Sequence, residues 1–308
     1  MSRRVSAIDI GSNAIRMMVA DVSDTAPFLH IEKKYRAPVR LGHDVFMNGS
    51  IGPETMEIAK ATFRKFAETN RKLAVEKCRA VATSACREAK NSKDFVKMVK
   101  DFSGIDIEVI DGTEEGRLIH LAVRKEVDLD NKKTMLIDIG GGSVEVTFSK
   151  GPKMLATKSF PMGTVRILEN LAKRKMNEAH LNIIMGEFLA ELGEHIYKNV
   201  DHDPVDFAIG TGGNLECIGQ LKVQLLKKTP NTFVTLAELN EIIDKLKALS
   251  IRDRIEKIGL RPDRADVIVP ASVLVQTIMR QAETEKIVIP AVGLRDGLIW
   301  SMTESSSK

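Results

Sequence analysis

A chain of 308 residues is long enough for two domains, and 43% hydrophobic with 29% charged residues is an ordinary globular composition. The formal net charge of +4 suits an anionic ligand, but no basic stripe interleaved with aromatic residues indicates a nucleic-acid-binding module. No apolar stretch approaches a membrane span and strand-like sequence follows the N-terminus at once, so we expect a cytoplasmic protein without membrane contact.

The cysteines predict free thiols. Cys78, Cys86 and Cys217 are odd in number and form no CxxC pair. This pattern favours buried thiols in a reducing compartment over disulfides or a zinc site.

The first 110 residues alternate between strand and helix patterns. Strands are predicted at Val5–Ile10, Ile15–Val22, Leu29–Tyr35, Cys78–Ala82 and Ile107–Ile110, and helices from Gly52-Pro53 and around Asp94–Phe102. Strands alternating with helices predict an α/β layer structure.

The opening order then recurs. Strands are predicted at Thr134–Ile139, Val144–Phe148, Met154–Phe160 and Phe207–Ile209. The charged stretch RKEVDLDNKK before them is typical of a surface connection. We therefore predict a first domain at 1–125 and a second at 126–308, and leave open whether the last helix packs back on the first domain.

Two acidic turns mark this recurrence. AIDIGSN places Asp9 before Gly11-Ser12-Asn13, and LIDIGGGS places Asp138 before Gly140–Ser143, about 130 residues further on. Glycine lets the backbone approach a ligand closely, and successive N–H groups in such a turn form an anion-binding nest. The aspartate oxygens suit Mg²⁺ that keeps several waters. Together the turns predict a phosphate site with a metal.

Other phosphate-binding signatures are absent from the sequence. There is no GxxxxGK[ST] and no GxGxxG. Neither HExxH nor a serine elbow occurs, so covalent catalysis has no clear candidate. A third glycine turn, Gly210–Asn214, follows a predicted strand, and its Gly212-Gly213 amides are candidates for another part of an extended anion or for a nucleoside. Arg87 follows Thr83-Ser84 at a predicted helix start and suits bidentate phosphate contact.

The segment DGTEEGR has two readings. Thr113 is predicted as a helix N-cap, with Glu114 and Glu115 in the first turn, where the helix dipole favours acids. Alternatively, a carboxylate there lies near the phosphate turns and prepares water as a general base. The residues alone leave both readings open.

The motifs together resemble the exopolyphosphatase / guanosine pentaphosphate phosphohydrolase (Ppx/GppA) family, in its short two-domain form. The resemblance rests on IDIGSNAIR, TSACREAKN, DGTEEGRL, DIGGGSVEV, GTVR, GTGGN, RADVI and GLRDGL, in this order. It implies two actin-like ATPase (RNase H-like) domains around an interdomain cleft. It also implies Mg²⁺-dependent release of terminal orthophosphate from polyphosphate, or hydrolysis of guanosine pentaphosphate, a nucleotide of the stringent response.

The resemblance assigns roles residue by residue. Glu115 and Glu145 take catalytic positions, and Asp138, Asp9 and Glu145 take metal positions. The phosphate-binding positions are Gly11, Ser12, Asn13, Arg16, Arg87, Gly140, Gly141, Gly142, Ser143, Gly212, Gly213 and Asn214. Ala14, Val144 and Asn214 depart from the residues common in the family, which bears on substrate preference more than on chemistry.

Two other functions fit the same pattern. An ATP-dependent kinase of this superfold would use the paired aspartate turns and hold adenosine at GTGGN. A non-catalytic sensor would bind polyphosphate, guanosine tetraphosphate or guanosine pentaphosphate and signal to a partner. The retained acids argue against the sensor, and the assembly, a homodimer among others, is left open by the sequence.

Overall fold

The computed structural model describes residues 2–23, 28–200 and 203–304. The chain forms two compact units, Met1–Ala122 with Leu294–Lys308, and Val123–Gly293. The predicted division at 125/126 places the C-terminal helix in the second domain, whereas the structure groups it with the first unit. Gly297 permits this packing, because a Cβ there would lie 1.9 Å from the Leu118 carbonyl oxygen, so only glycine lets these backbones approach.

The first unit holds a five-stranded sheet in the order β3-β2-β1-β4-β5. Its strands are β1 (Arg3–Ile10), β2 (Ile15–Val22), β3 (Leu29–Ala37), β4 (Lys77–Ala82) and β5 (Ile107–Val109). Its helices are α1 (Leu41–Asn48), α2 (Pro53–Lys72), α3 (Ser84–Glu88), α4 (Ser92–Ser103), α5 (Gly112–Glu126, which runs on into the second unit) and α13 (Leu294–Glu304).

Two properties of this sheet position functional residues. Strands β1, β4 and β5 are parallel, so their carboxyl ends lie at one edge. Helix α2 covers the sheet because Ala59, Phe63 and Phe66 are buried at helical spacing, and Pro53 at its first position is preorganised for a helix start. The predicted strands and helices of this half are confirmed.

The second unit holds a six-stranded sheet in the order β10-β11-β9-β6-β7-β8. Its strands are β6 (Lys133–Ile139), β7 (Val144–Lys150), β8 (Lys153–Phe160), β9 (Phe207–Thr211), β10 (Phe233–Thr235) and β11 (Lys286–Val288). Its helices are α6 (Thr164–Lys173), α7 (Leu181–Val200), α8 (Gly212–Leu226), α9 (Leu236–Lys247), α10 (Ile251–Glu256), α11 (Pro262–Ala265) and α12 (Ile268–Gln281), with a 3-10 turn at Glu178–His180.

The two sheets repeat one strand order. An antiparallel meander of three strands is followed by parallel strands beside its first member, and the second sheet adds β10 antiparallel at its edge. This confirms the predicted α/β fold class and the duplicated actin-like sheet.

All three cysteines are free thiols; Cys86 and Cys217 are buried as predicted, whereas Cys78, near the exposed start of β4, is exposed. Burial raises the pKa of Cys86 to about 12 and also raises the pKa of Cys217, so neither thiol is a ready nucleophile at neutral pH. Within the described ranges, no helix combines the length and the hydropathy needed to cross a membrane.

Candidate active site

The two glycine turns close in the same way. The first glycine N–H donates to the carbonyl oxygen of the fourth residue, at 3.2 Å in 11–14 and at 3.0 Å in 140–143. Ser12 and Asn13 are buried, at 2% and 8% exposure. The Ser12 hydroxyl oxygen makes no hydrogen bond to any residue that the structure describes. A buried hydroxyl of this kind is suited to an oxygen ligand held by the turn.

The two acids occupy equivalent places with opposite surroundings. Asp9 pairs across its hairpin with Arg16, and Asp138 pairs with Glu145 at the same register position. The Arg16 guanidinium lies 3.4 Å from the Asp9 carboxylate. The first turn therefore carries a neutralised acid with a cation beside it, and the second carries two carboxylates.

The acidic pair of the second unit is held by two hydroxyls. Thr211 donates to Asp138 Oδ1 at 2.7 Å, and Ser159 donates to Glu145 Oε1 at 2.6 Å. A carboxylate oxygen of Asp138 lies within 4.8 Å of one of Glu145, which is 2% exposed. Like charges directly opposite each other in a sheet are destabilising, and a bound cation would offset this repulsion.

Mg²⁺ fits this donor set. All the donors are oxygens, as a hard cation requires, and the hydroxyls fix the orientation of both carboxylates. Asp9 lies beside the Arg16 guanidinium, whereas the second turn brings two carboxylates together, so the second unit offers the better metal position. A metal role for Asp9 stays a prediction.

The second turn is fastened by the start of α6. The backbone N–H groups of Thr164 and Val165 donate to the Gly140 and Gly141 carbonyls at 3.0 and 2.8 Å. Gly163 permits this contact, because a Cβ there would lie 2.4 Å from the backbone of the turn. These residues belong to the GTVR motif. The contact of this motif with the turn was not predicted from the sequence.

The Gly212-Gly213 pair begins a helix. Predicted as a separate glycine turn, it forms the first residues of α8, with Thr211 as N-cap. Gly212 has φ of +81°, and a Cβ there would lie 2.8 Å from Asp138 Oδ1. Glycine is thus needed both for the backbone angle and for space beside the acid. The free N–H groups of a helix start favour an anion at this place.

Arg87 and Glu115 form an ion pair in the first unit. Arg87 Nη1 donates to the Ile110 carbonyl at 2.7 Å and lies 3.9 Å from Glu115 Oε2. Glu115 is 6% exposed. Arg87 on α3 and Glu115 in the first turn of α5 are thus neighbours beside the end of β5.

Comparison with known proteins decides the family. Residues 18–306 match the model of the Ppx/GppA phosphatase family. The chain belongs to this family. Exopolyphosphatase 1 of Mycobacterium tuberculosis is 26% identical over 308 residues, which cover 99% of this chain and 89% of the relative.

Two solved structures extend the comparison. An exopolyphosphatase from Cytophaga hutchinsonii has 26% identity and a TM-score of 0.87, with 98% of each chain covered. The Ppx/GppA family member of Aquifex aeolicus has 26% identity and a TM-score of 0.81, with both chains fully covered.

One Ppx/GppA position braces the structure. Asn214 donates through Nδ2 to the Ile139 carbonyl at 2.8 Å, and its Oδ1 accepts from Arg264 Nη1. Asn214 therefore ties the start of α8 to the end of β6, and Arg264 of the RADVI motif supports it from α11. Phosphate binding by Asn214 stays a prediction.

The two glutamates of the Ppx/GppA motif DGTEEGR are differently engaged. Glu114 accepts from Arg117 at 2.6 Å and from Arg79 at 3.3 Å. The Arg117 hydrogen bond in the first place, with Arg79 adding to it, lowers the pKa of Glu114. Glu114 is thus held in ion pairs beside its own helix, which leaves Glu115 as the buried acid facing Arg87.

The predicted cap of this helix was wrong. Asp111 Oδ1, not Thr113, accepts the Glu114 N–H, at 2.8 Å. The helix begins at Gly112, one residue before Thr113. Aspartate in the preceding position has an oxygen at the right distance from the first free N–H groups, so it takes the cap.

Proposed function

We propose that this Ppx/GppA protein is an exopolyphosphatase that releases orthophosphate from the ends of inorganic polyphosphate. The observation that carries the proposal is the duplicated phosphate turn with opposite charges at one register position, arginine in the first and glutamate in the second. The first turn supplies a cation and backbone amides that suit a phosphoryl group. The second supplies carboxylates that suit a metal ion. Relatives named exopolyphosphatase at 26% identity support the proposal.

Substrate binding falls to the turn amides, the Ser12 hydroxyl and Arg87. Phosphoryl transfer places negative charge on peripheral oxygens, so catalysis depends chiefly on positioned donors and cations. Arg87 is already oriented by its bond to the Ile110 carbonyl, which leaves its other guanidinium nitrogen for a phosphoryl oxygen.

Asp138 and Glu145 are the proposed metal-holding residues. Bound Mg²⁺ would screen the phosphoryl oxygens and so lower the charge barrier to an approaching nucleophile. Thr211 and Ser159 keep the two carboxylates in place, since their hydroxyls donate to one oxygen of each.

Glu115 is the proposed general base. Its carboxylate accepts a proton from water as the water attacks the terminal phosphorus, and the shortened chain leaves with the bridging oxygen. Arg87, at 3.9 Å, is the cation beside this carboxylate.

Orthophosphate release tests the proposal. Purified protein with Mg²⁺ and no acceptor is supplied separately with long polyphosphate and with guanosine pentaphosphate, and initial rates are compared. We expect release from polyphosphate. ATP loss that requires an added acceptor would favour a kinase, and guanosine pentaphosphate binding without release from either substrate would favour a sensor.

The Thr211 hydroxyl should matter for metal affinity. In Thr211→Val, Asp138 loses a 2.7 Å hydrogen bond that orients it. Removing such a supporting contact typically weakens metal binding about 10- to 100-fold. Titration calorimetry with Mg²⁺ or Mn²⁺ measures the change directly.

Thr157→Val is the matched control. It also removes a partly buried threonine hydrogen bond, the one to Thr147 at 2.7 Å on neighbouring strands of the same unit. Equal metal affinity in the two variants would contradict a role of Thr211 in metal binding.

A further inference from the structure

A cavity of about 480 Å³ lies in the first unit, away from the phosphate turn at 11–14. Helix α2, the end of α4 and the residues before β5 form its walls. Its lining includes Arg64, Ala67, Arg71, Cys78, Phe102 and Gly104.

The cavity is made by residue spacing along α2. Lys60, Arg64, Ala67 and Arg71 are separated by four, three and four residues, which places them on one face of the helix. Ala67 has a small side chain, so the two arginines flank a hollow instead of a filled surface. Gly104, on the opposite wall, also contributes no side chain.

The charges around the cavity are unevenly balanced. Lys60 bonds to Glu57 at 2.8 Å and lies 4.0 Å over the ring of Phe102. Within residues 2–23, 28–200 and 203–304, neither Arg64 nor Arg71 makes a side-chain hydrogen bond or an ion pair. The nearest acid in the lining, Asp106, is paired with Lys100 at 2.7 Å. Two guanidinium groups are thus available to one anion.

The cavity and the phosphate turn at 11–14 lie at opposite ends of the same sheet. Cys78, at the start of β4, lines the cavity, while Thr83 follows the carboxyl end of that strand, beside α3 and Arg87. Five residues of strand separate these ends by about 17 Å. Only an extended anion reaches both places at once.

We propose that this cavity, through Arg64 and Arg71, anchors the distant part of a long inorganic polyphosphate chain. The proposal rests on the proposed exopolyphosphatase function and adds a preference for chain length. Guanidinium groups suit phosphate because each presents paired N–H donors with a fixed charge. Tripolyphosphate and guanosine pentaphosphate are too short to occupy the cavity while their terminal phosphate is being cleaved.

A double variant tests the anchor. Arg64→Glu with Arg71→Glu reverses both charges, and orthophosphate release is measured with long polyphosphate and with tripolyphosphate. We expect KM for long polyphosphate to rise about tenfold or more, as loss of charged hydrogen bonds implies. The tripolyphosphate rate and KM should stay within about twofold, and the salt dependence for long chains should become shallower.

Lys65→Glu with Lys72→Glu is the matched control. Each lysine follows one of the arginines by one position, so the change in net charge is the same, but both residues lie outside the cavity. This variant should retain the wild-type ratio of long-chain to tripolyphosphate KM. Circular dichroism and thermal unfolding would test whether both variants are folded.

Three results would overturn the anchor. The KM ratio is unchanged in the arginine variant, or it rises equally in the lysine variant, or ATP competes at the cavity more strongly than tripolyphosphate. Failure of the proposed function looks different, since wild-type protein would then release no orthophosphate from chains of any length. Direct binding of long polyphosphate to wild-type protein and to the arginine variant still tests the anchor in that event.

Discussion

Glu115→Gln is expected to reduce orthophosphate release by about 10²- to 10⁴-fold, the usual contribution of a general base. The substitution keeps the size of the side chain and removes its ability to accept a proton. KM for polyphosphate should stay the same or fall, because a negative charge is removed near a polyanion. Steady-state and single-turnover rates at neutral pH measure both effects.

Glu114→Gln is the natural control for Glu115→Gln. The two residues are adjacent, but Glu114 is held by Arg117 and Arg79 and is not the acid beside Arg87. We expect near-normal activity and a lower stability at neutral pH. Loss of activity in Glu114→Gln, or full activity in Glu115→Gln, would contradict the assignment of the base.

The pH dependence of this control follows from the lowered pKa of Glu114. A carboxyl whose pKa is depressed on folding stabilises the protein above its unfolded pKa, near 4.3, and loses that contribution as pH falls through the folded value. The stability difference between wild type and Glu114→Gln should therefore be largest at neutral pH and disappear in acid. Denaturant melts at several pH values measure it.

Gly163→Ala is expected to have the second large effect. The added Cβ would lie 2.4 Å from the Gly141 carbonyl carbon and the Gly142 nitrogen, both backbone atoms that cannot rotate away. Either the start of α6 or the phosphate turn must move. A displacement of about 1 Å costs on the order of 10²-fold in rate, and overpacking costs about 1–3 kcal/mol of stability.

Gly186→Ala in α7 is its control. A Cβ at Gly186 meets no atom within 4 Å, so alanine should leave activity unchanged and stabilise the helix by up to about 1 kcal/mol. Phosphate release and thermal unfolding of both variants separate the close backbone approach from a general effect of replacing glycine. Wild-type activity in Gly163→Ala would show that the α6 contact does not shape the turn.

The hairpins were predictable because their signals are local. Alternating apolar residues set the strands, and a glycine-rich turn sets the connection, so Asp9 and Asp138 were correctly placed at strand ends. The opposite residue across each hairpin decides what these acids do. Arg16 and Glu145 have this role only because of the exact strand register, which propensity does not give.

The residues that support the site could not be predicted from local sequence, because their partners are distant in the chain. Thr211 bonds to Asp138 across 73 residues, and Arg264 bonds to Asn214 across 50. Such contacts depend on how elements pack, and they have no short-range pattern. The N-cap error at Thr113 is different, because Asp111 and Thr113 are both good caps and only the helix start distinguishes them.

The most direct test of water attack on the terminal phosphate uses oxygen-18 water. Wild-type protein, Mg²⁺ and long polyphosphate are mixed without an acceptor, and the orthophosphate is analysed by mass spectrometry. We expect one solvent oxygen in each released orthophosphate and none in the remaining chain. Unlabelled orthophosphate with the label on the shortened chain, or no orthophosphate at all, would contradict it.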